Sequence, residues 1–153
     1  MRLNRIIVPT DFSEVAANAL TEARALASES GAPLVLVHVW DRAAMTLNLP
    51  YLRTAQEENL ALVNSLEEGL QRSLDEQASV VFEGIPVSTK LLHDASTARA
   101  LATFAEPDDV IVISTHGRSG VVRFVVGSVT EKLIRLARCR VLTVPPTPEE
   151  EAA

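Results

Sequence analysis

The chain is poor in several things that would each point to a different kind of protein. Among its 153 residues there is one cysteine, Cys139, so neither an internal disulfide nor a thiolate zinc site can be built. Aromatic residues make up only 4% of the chain, so aliphatic side chains and alanine must fill the core. Lysine and arginine number 14 against 20 acids, a net charge of −6, which speaks against a general nucleic-acid binder. No apolar run approaches membrane-spanning length, and Met1–Arg5 leads straight into a strand-like segment with no signal peptide before it. These features predict a cytoplasmic protein with no membrane or nucleic-acid partner.

Familiar catalytic and phosphate-binding patterns are missing too. There is no G-x-x-x-x-G-K-[ST], since no lysine follows Gly127, and no G-x-G-x-x-G. The histidines His38, His93 and His116 lack metal-ligand spacing, so no metal site is expected from protein side chains alone. His38 sits in a strand-like run and reads as a satisfied core residue. No Ser-His-Asp set is suggested and no paired carboxylates flank the glycines. The expectation is a binding protein with no catalytic residues.

What is present is an apolar fraction of 47%, enough for the core of one domain. Short aliphatic runs recur at Ile6–Val8, Leu34–Val39, Val110–Ile113 and Val141–Val144. Each is nearly unbroken, the pattern of strands buried on both faces. Val87–Leu92 alternates more, as a strand nearer an edge does. Helical periodicity fills the intervals. The first helix spans about Glu14–Ser30 and is stopped by Gly31. The second spans about Thr54–Glu76, with Val63, Leu66, Leu70 and Leu74 inward. The third spans about Ser96–Ala105. The fourth spans Ser128 to about Arg138, with Val129, Leu133, Leu136 and Ala137 inward. The alternation predicts an α/β fold, a five-stranded parallel doubly wound sheet with helices on both faces. Residues 1–146 form the domain, and 147–153 read as an acidic, disordered tail. The long connection Asp41–Arg53 reads as a path back across the sheet with its apolar residues tucked under, the alternative being a partner-facing lid.

Doubly wound sheets bind ligands beyond the carboxyl ends of their strands, where strand order reverses. After the first strand come Pro9, Thr10, Asp11, Phe12 and Ser13, whose oxygens can cap the next helix. Asp11 can also accept hydrogen bonds from a ribose or an adenine amino group, and spacing alone puts the cap first. After the fourth strand come Ser114, Thr115, His116, Gly117, Arg118, Ser119 and Gly120, then Gly127, Ser128, Val129 and Thr130. The glycines let backbone approach an anion. Ser128 with Glu131 matches a capping box, predicting a helix start whose free N–H groups suit a phosphate. From His116 to Arg140, Arg118, Arg123, Lys132, Arg135, Arg138 and Arg140 face one acid, Glu131, a local 6 − 1 = +5. Arg135 and Arg138 read as an outer helix face.

The run Gly117-x9-Gly127-Ser128, with Pro9-Thr10-Asp11 after the first strand and His38-Val39 ending the second, resembles the universal stress protein family from Ile6 to Val144. The resemblance implies a Rossmann-like sheet of the adenine nucleotide alpha hydrolase type, strand order 3-2-1-4-5. It implies a homodimer joined through Arg140–Val144, and a stress-response role. In the branch that keeps the glycines it implies ATP, or AMP or ADP, accompanied in some members by Mg2+ or Mn2+. Asp11 and Val39 would then hold the adenosine, while Ser114–Gly120 and Gly127–Thr130 would hold ribose and phosphates. The chain departs from the family's G-x2-G-x9-G-[ST] at one place: Ser114 stands where the first glycine falls.

Overall fold

The aliphatic runs become five parallel strands in a computed structural model that describes residues 3–47, 56–115 and 127–145. They are β1 (Ile6–Pro9), β2 (Leu34–Trp40), β3 (Val87–His93), β4 (Val110–Ser114) and β5 (Arg140–Val144). The helices are α1 (Ala16–Ser30), α2 (Arg42–Leu47), α3 (Gln56–Val81), α4 (Thr97–Phe104) and α5 (Ser128–Leu136). The sheet order is β3-β2-β1-β4-β5, as the family resemblance implied. The direction of winding therefore reverses between β1 and β4, which pair in parallel at Ile6↔Val110 and Ile7↔Ile111.

The unbroken apolar strands are explained by two cores, one on each face of the sheet. Ile6, Val8, Leu34, Leu36, Val110 and Val112 pack on α1 and α3 through Leu20, Ala23, Leu74 and Ala78, and on Phe82 just past α3. Ile7, Val35, Val37, Ile111 and Ile113 point the other way, onto Ala98, Leu101 and Leu133 of α4 and α5. Successive strand residues face opposite sides, so a strand covered twice needs apolar side chains at every position. Each fully buried Leu or Ile contributes about 1.5–3 kcal/mol. Alanines on α1 let it lie close to the sheet, and among the described residues Phe82 is the largest side chain that is fully buried. The alternating β3 is indeed an edge strand, with a half-buried, half-exposed pattern. Cys139 borders the second core, and burial pushes its thiol above the ordinary value.

Gly31 ends α1 as expected. It is left-handed, with φ of 69°, and its N–H bonds Ala27 O at 2.9 Å. No atom lies within 4 Å of the Cβ it lacks. Gly31→Ala should therefore cost about 1 kcal/mol through backbone conformation alone. Urea denaturation would show this, and a loss much above that would point to a contact the geometry does not have.

Several helix details differ from the sequence pattern. α1 starts at Ala16, and no side chain caps it: Thr10, Asp11 and Ser13 do other work described below. The second predicted helix extends to Val81, and Leu66 on it is 39% exposed. Part of the Asp41–Arg53 connection is the short helix α2, held to α3 by Arg42, which bonds Glu67 at 2.7 Å and Asn64 at 2.8 Å. Met45 there is exposed rather than tucked under, and residues 48–55 lie outside the described residues. The predicted tail, 147–153, lies outside them as well. α5 ends at Leu136, short of Arg138. Its inward side is Thr130 and Leu133, with Ala137 just beyond, while Val129 and Leu136 are exposed. Arg135 points outward and pairs with Glu131 at 2.6 Å, as its outer-face reading required.

Candidate functional site

At the carboxyl ends of β1 and β4, the reversal leaves a cavity of about 360 Å³. One wall is Pro9, Thr10, Asp11 and Ser13 from the β1–α1 turn, with Ala16 below them. The opposite wall is Ser114 at the end of β4 and Gly127, Ser128, Val129 and Thr130 at the start of α5. Val39, from the end of β2, and Thr97, from the start of α4, close the side. Ile113 forms part of the floor.

The β1–α1 turn is braced by its own polar side chains. Thr10 is buried; its N–H bonds Val37 O at 2.8 Å and its carbonyl accepts from His38 Nδ1 at 2.8 Å. The carbonyl can only accept, so Nδ1 carries the ring proton. His38 is thus satisfied, as expected, and it also fixes the turn. Thr10 Oγ1 accepts from Phe12 N–H at 3.1 Å, and Asp11 Oδ1 accepts from both the N–H and the hydroxyl of Ser13. These oxygens order the turn rather than capping α1. Phe12 takes a φ of 62°, unusual for a residue with a Cβ, and its ring lies 4.8 Å from that of His38. Backbone strain of about 1–3 kcal/mol is held in place where the turn meets the cavity.

The β4–α5 wall is closed by backbone. Thr115 N–H bonds Val144 O at 2.9 Å, and Gly127 N–H bonds Thr115 O at 2.6 Å. The chain therefore returns to the point it left, and α5 begins against the end of β4. Here the sequence reading needs correction. The N-cap is Gly127, not Ser128, and no side chain caps the helix. Glu131 N–H goes to Gly127 O at 2.9 Å, so the capping box is not formed. The helix start on which the anion expectation rested is present: Ser128 and Val129 are the first helical residues and leave their N–H groups without helical partners.

Thr130, expected among the site residues, lines the cavity. It is 3% exposed, and its hydroxyl donates to Ser114 O at 2.9 Å. Ser114, the residue standing in place of glycine, donates its hydroxyl to Val15 O at 2.8 Å. Its φ is not positive; among the described residues only Phe12, Gly31 and Gly84 have positive φ. Serine therefore fits there without backbone strain and ties β4 to the start of α1. Thr130→Val keeps the shape but removes the donor to Ser114 O. It should cost about 1–2 kcal/mol, read from the shift of the urea midpoint at constant slope.

The structure brings Pro9, Thr10, Asp11, Ser13, Val39, Ser114, Gly127, Ser128, Val129 and Thr130 to one cavity. Thr115 lies at its rim through its backbone bonds. His116, Gly117, Arg118, Ser119 and Gly120 lie outside the described residues. The sequence reading missed Ala16, Ile113 and Thr97. Thr97 had a legible signal: it follows Ser96 at the next strand-to-helix junction. There Ser96 Oγ accepts from Arg99 N–H at 3.4 Å. Asp94 accepts from Ser96 N–H at 2.7 Å and from Arg99 at 2.6 and 3.0 Å. The hydrogen bonds from Arg99, then that from Ser96, hold the Asp94 carboxyl below its ordinary value.

A parallel doubly wound sheet with a cavity at its switch point defines an α/β domain of the Rossmann-like class. The sequence matches the universal stress protein family over residues 2–145, and the chain belongs to that family. It is 32% identical over 145 residues to the universal stress protein MJ0531 of Methanocaldococcus jannaschii, covering 92% of this chain and 81% of that one. The structure of the hypothetical protein MJ0577 from the same organism superposes with a TM-score of 0.75 at 25% identity, covering 96% and 99% of the two chains. Two more distant structures share the fold and hold ligands. One is a universal stress protein in complex with cAMP (TM-score 0.63, 18% identity, 96% and 100% covered). The other is from Archaeoglobus fulgidus, in complex with dAMP (TM-score 0.55, 24% identity, 94% and 98% covered). Among the described residues, no helix is long and apolar enough to cross a membrane.

Proposed function

We propose that this protein binds an adenine nucleotide, ATP or its AMP or ADP forms, in the β1–β4 cavity, and works as a homodimeric stress-response regulator. The observation that carries the reading is one cavity holding both an anion-binding helix start, at Ser128 and Val129, and an ordered carboxylate turn, at Asp11. Phosphates suit the first. Ribose hydroxyls suit the second. The volume of about 360 Å³ falls within the span of about 300–1,000 Å³ usual for small-molecule sites. That relatives of the same fold hold cAMP and dAMP supports the reading. Among the described residues no three His, Cys, Asp or Glu converge, so a Mg2+ or Mn2+ ion would enter on the nucleotide's phosphates. The role is binding rather than turnover.

Dimerisation through β5 fits its position at the sheet edge, where its outer backbone groups have no neighbouring strand among the described residues. Leu142 is exposed there, and Arg140 Nη1 is buried without a hydrogen-bond partner among the described residues. Calorimetry of the purified protein with ATP and AMP tests the ligand, together with identification of any small molecule released on denaturation. Binding near one site per chain is expected. No heat with any adenine nucleotide, and none released, would leave the protein as an interaction module without a nucleotide.

A further inference from the structure

We infer that Thr97 contacts the nucleobase and sets the cavity's preference for a base-bearing ligand, an inference that rests on the adenine-nucleotide reading. The anion end of the cavity lies beyond β4, where α5 begins. The sheet order runs β2-β1-β4, and neighbouring strands lie about 4.8 Å apart. A ligand anchored at α5 and lying across β1 therefore reaches β2 after about 10 Å. A ribose and a base fill that interval. The wall at this far end is Val39 and Thr97.

The polar groups around the cavity are unevenly committed. The hydroxyls of Ser13, Ser114 and Thr130 all donate within the protein, and that of Thr10 accepts from Phe12 N–H. Two lining hydroxyls have no hydrogen-bond partner among the described residues, Ser128 and Thr97. Ser128 is at the anion end. Thr97 is half-buried and follows β3, whose last residue, His93, pairs with Trp40 next to Val39, at the β2 side of the cavity. Its backbone is held by the Ser96 cap and the Asp94–Arg99 pair, so the hydroxyl is presented from a fixed point. A threonine hydroxyl both donates and accepts, and it can meet either an amino group or a ring nitrogen on a base edge. Val39 covers the base and Thr97 meets its edge.

Thr97→Val keeps volume and branching, and Thr97→Ser keeps the hydroxyl. ATP and inorganic triphosphate are titrated into the wild type and both variants by calorimetry. Thr97→Val should weaken ATP about three- to tenfold and leave triphosphate unchanged, while Thr97→Ser stays near wild type. Unchanged ATP affinity in Thr97→Val overturns the inference while the nucleotide reading stands. Equal losses for ATP and triphosphate also overturn it, since the residue would then act on the whole site. A wild type that binds no ATP overturns the nucleotide reading itself.

Discussion

Arg5→Met is expected to destabilise the fold by about 3–5 kcal/mol at neutral pH. Asp109 is fully buried at the amino end of β4, and Arg5 stands just before β1, so the pair ties the two switch-point strands together. Arg5 Nη2 lies 2.6 Å from Asp109 Oδ2, and Nε lies 3.2 Å from both carboxylate oxygens. Asn4 Nδ2 and Glu106 N–H add bonds at 3.2 and 2.8 Å. The guanidinium also sits over the Phe104 ring, 5.1 Å from its centre. Methionine keeps the stem packed but leaves a buried carboxylate without its cation. Adding Asp109→Ala to Arg5→Met should cost much less than the sum of the single losses, because it removes the stranded charge.

The pH dependence makes this test sharper. Burial works against the Asp109 charge, but the bonds from Arg5, Glu106 N–H and Asn4 outweigh it and hold the carboxyl below its ordinary 3.8. In that range the unfolded chain binds more protons than the native one, so stability rises with pH. The contribution is fully present above pH 3.8 and disappears as pH falls through the lower native value. In Arg5→Met the lowering by the guanidinium is lost while burial stays, so the native carboxyl titrates higher than in the wild type. The rise of stability with pH from this group is then smaller in the variant, or reversed. Urea denaturation at several pH values, followed by the fluorescence of the single tryptophan, Trp40, reads both slopes. Equal slopes in the two proteins would sink the account.

Gly127→Glu is the second large effect: a loss of adenine-nucleotide binding of at least about 100-fold with the fold intact. Gly127 has φ of −58° and ψ of 148°, a conformation open to any residue, so the backbone need not strain. Its N–H bond to Thr115 O and its carbonyl bond from Glu131 N–H do not depend on a side chain. A carboxylate here sits at the positive end of α5, where it is stabilised. It also occupies the place where a phosphate would sit. Losing two charge-assisted bonds of about 1.5–3 kcal/mol each removes binding of that order. Calorimetry with ATP, paired with a thermal melt, separates the two effects. Wild-type affinity in a folded Gly127→Glu protein would be fatal to the site assignment. The same variant serves as control in a phosphate-release assay, in which the wild type should show no turnover above it.

Local pattern carried some of the architecture and stopped short elsewhere. Gly31 was readable because only glycine takes φ of 69° without cost. The β3 edge was readable because one exposed face permits alternation. The start of α5 at Ser128 was readable, but its cap was not: Ser128 and Glu131 fit a capping box, whereas Glu131 N–H goes to Gly127 O and Gly127 is itself held by Thr115. Twelve positions separate those two residues, and no window of helix periodicity contains both. Thr130 was read as part of the site, but the pattern did not show that its hydroxyl donates to Ser114 O. Its inward turn depends on a carbonyl at the end of β4, which the helix pattern does not include.

The chain by itself determined the layered α/β fold, because a strand covered on both faces must be apolar throughout and a covering helix only along one stripe. It also determined that ligand-type residues follow the first and fourth strands. Only the tertiary structure decided how those residues share the work. Thr10, Asp11 and Ser13 spend their hydrogen bonds on the turn, Ser114 and Thr130 tie the walls together, and Thr97 arrives from a helix the sequence reading had left out of the site. The reason is physical: a hydroxyl's partner is set by what lies within about 3 Å of it, and in a parallel sheet the neighbours at strand ends come from segments far apart in the chain.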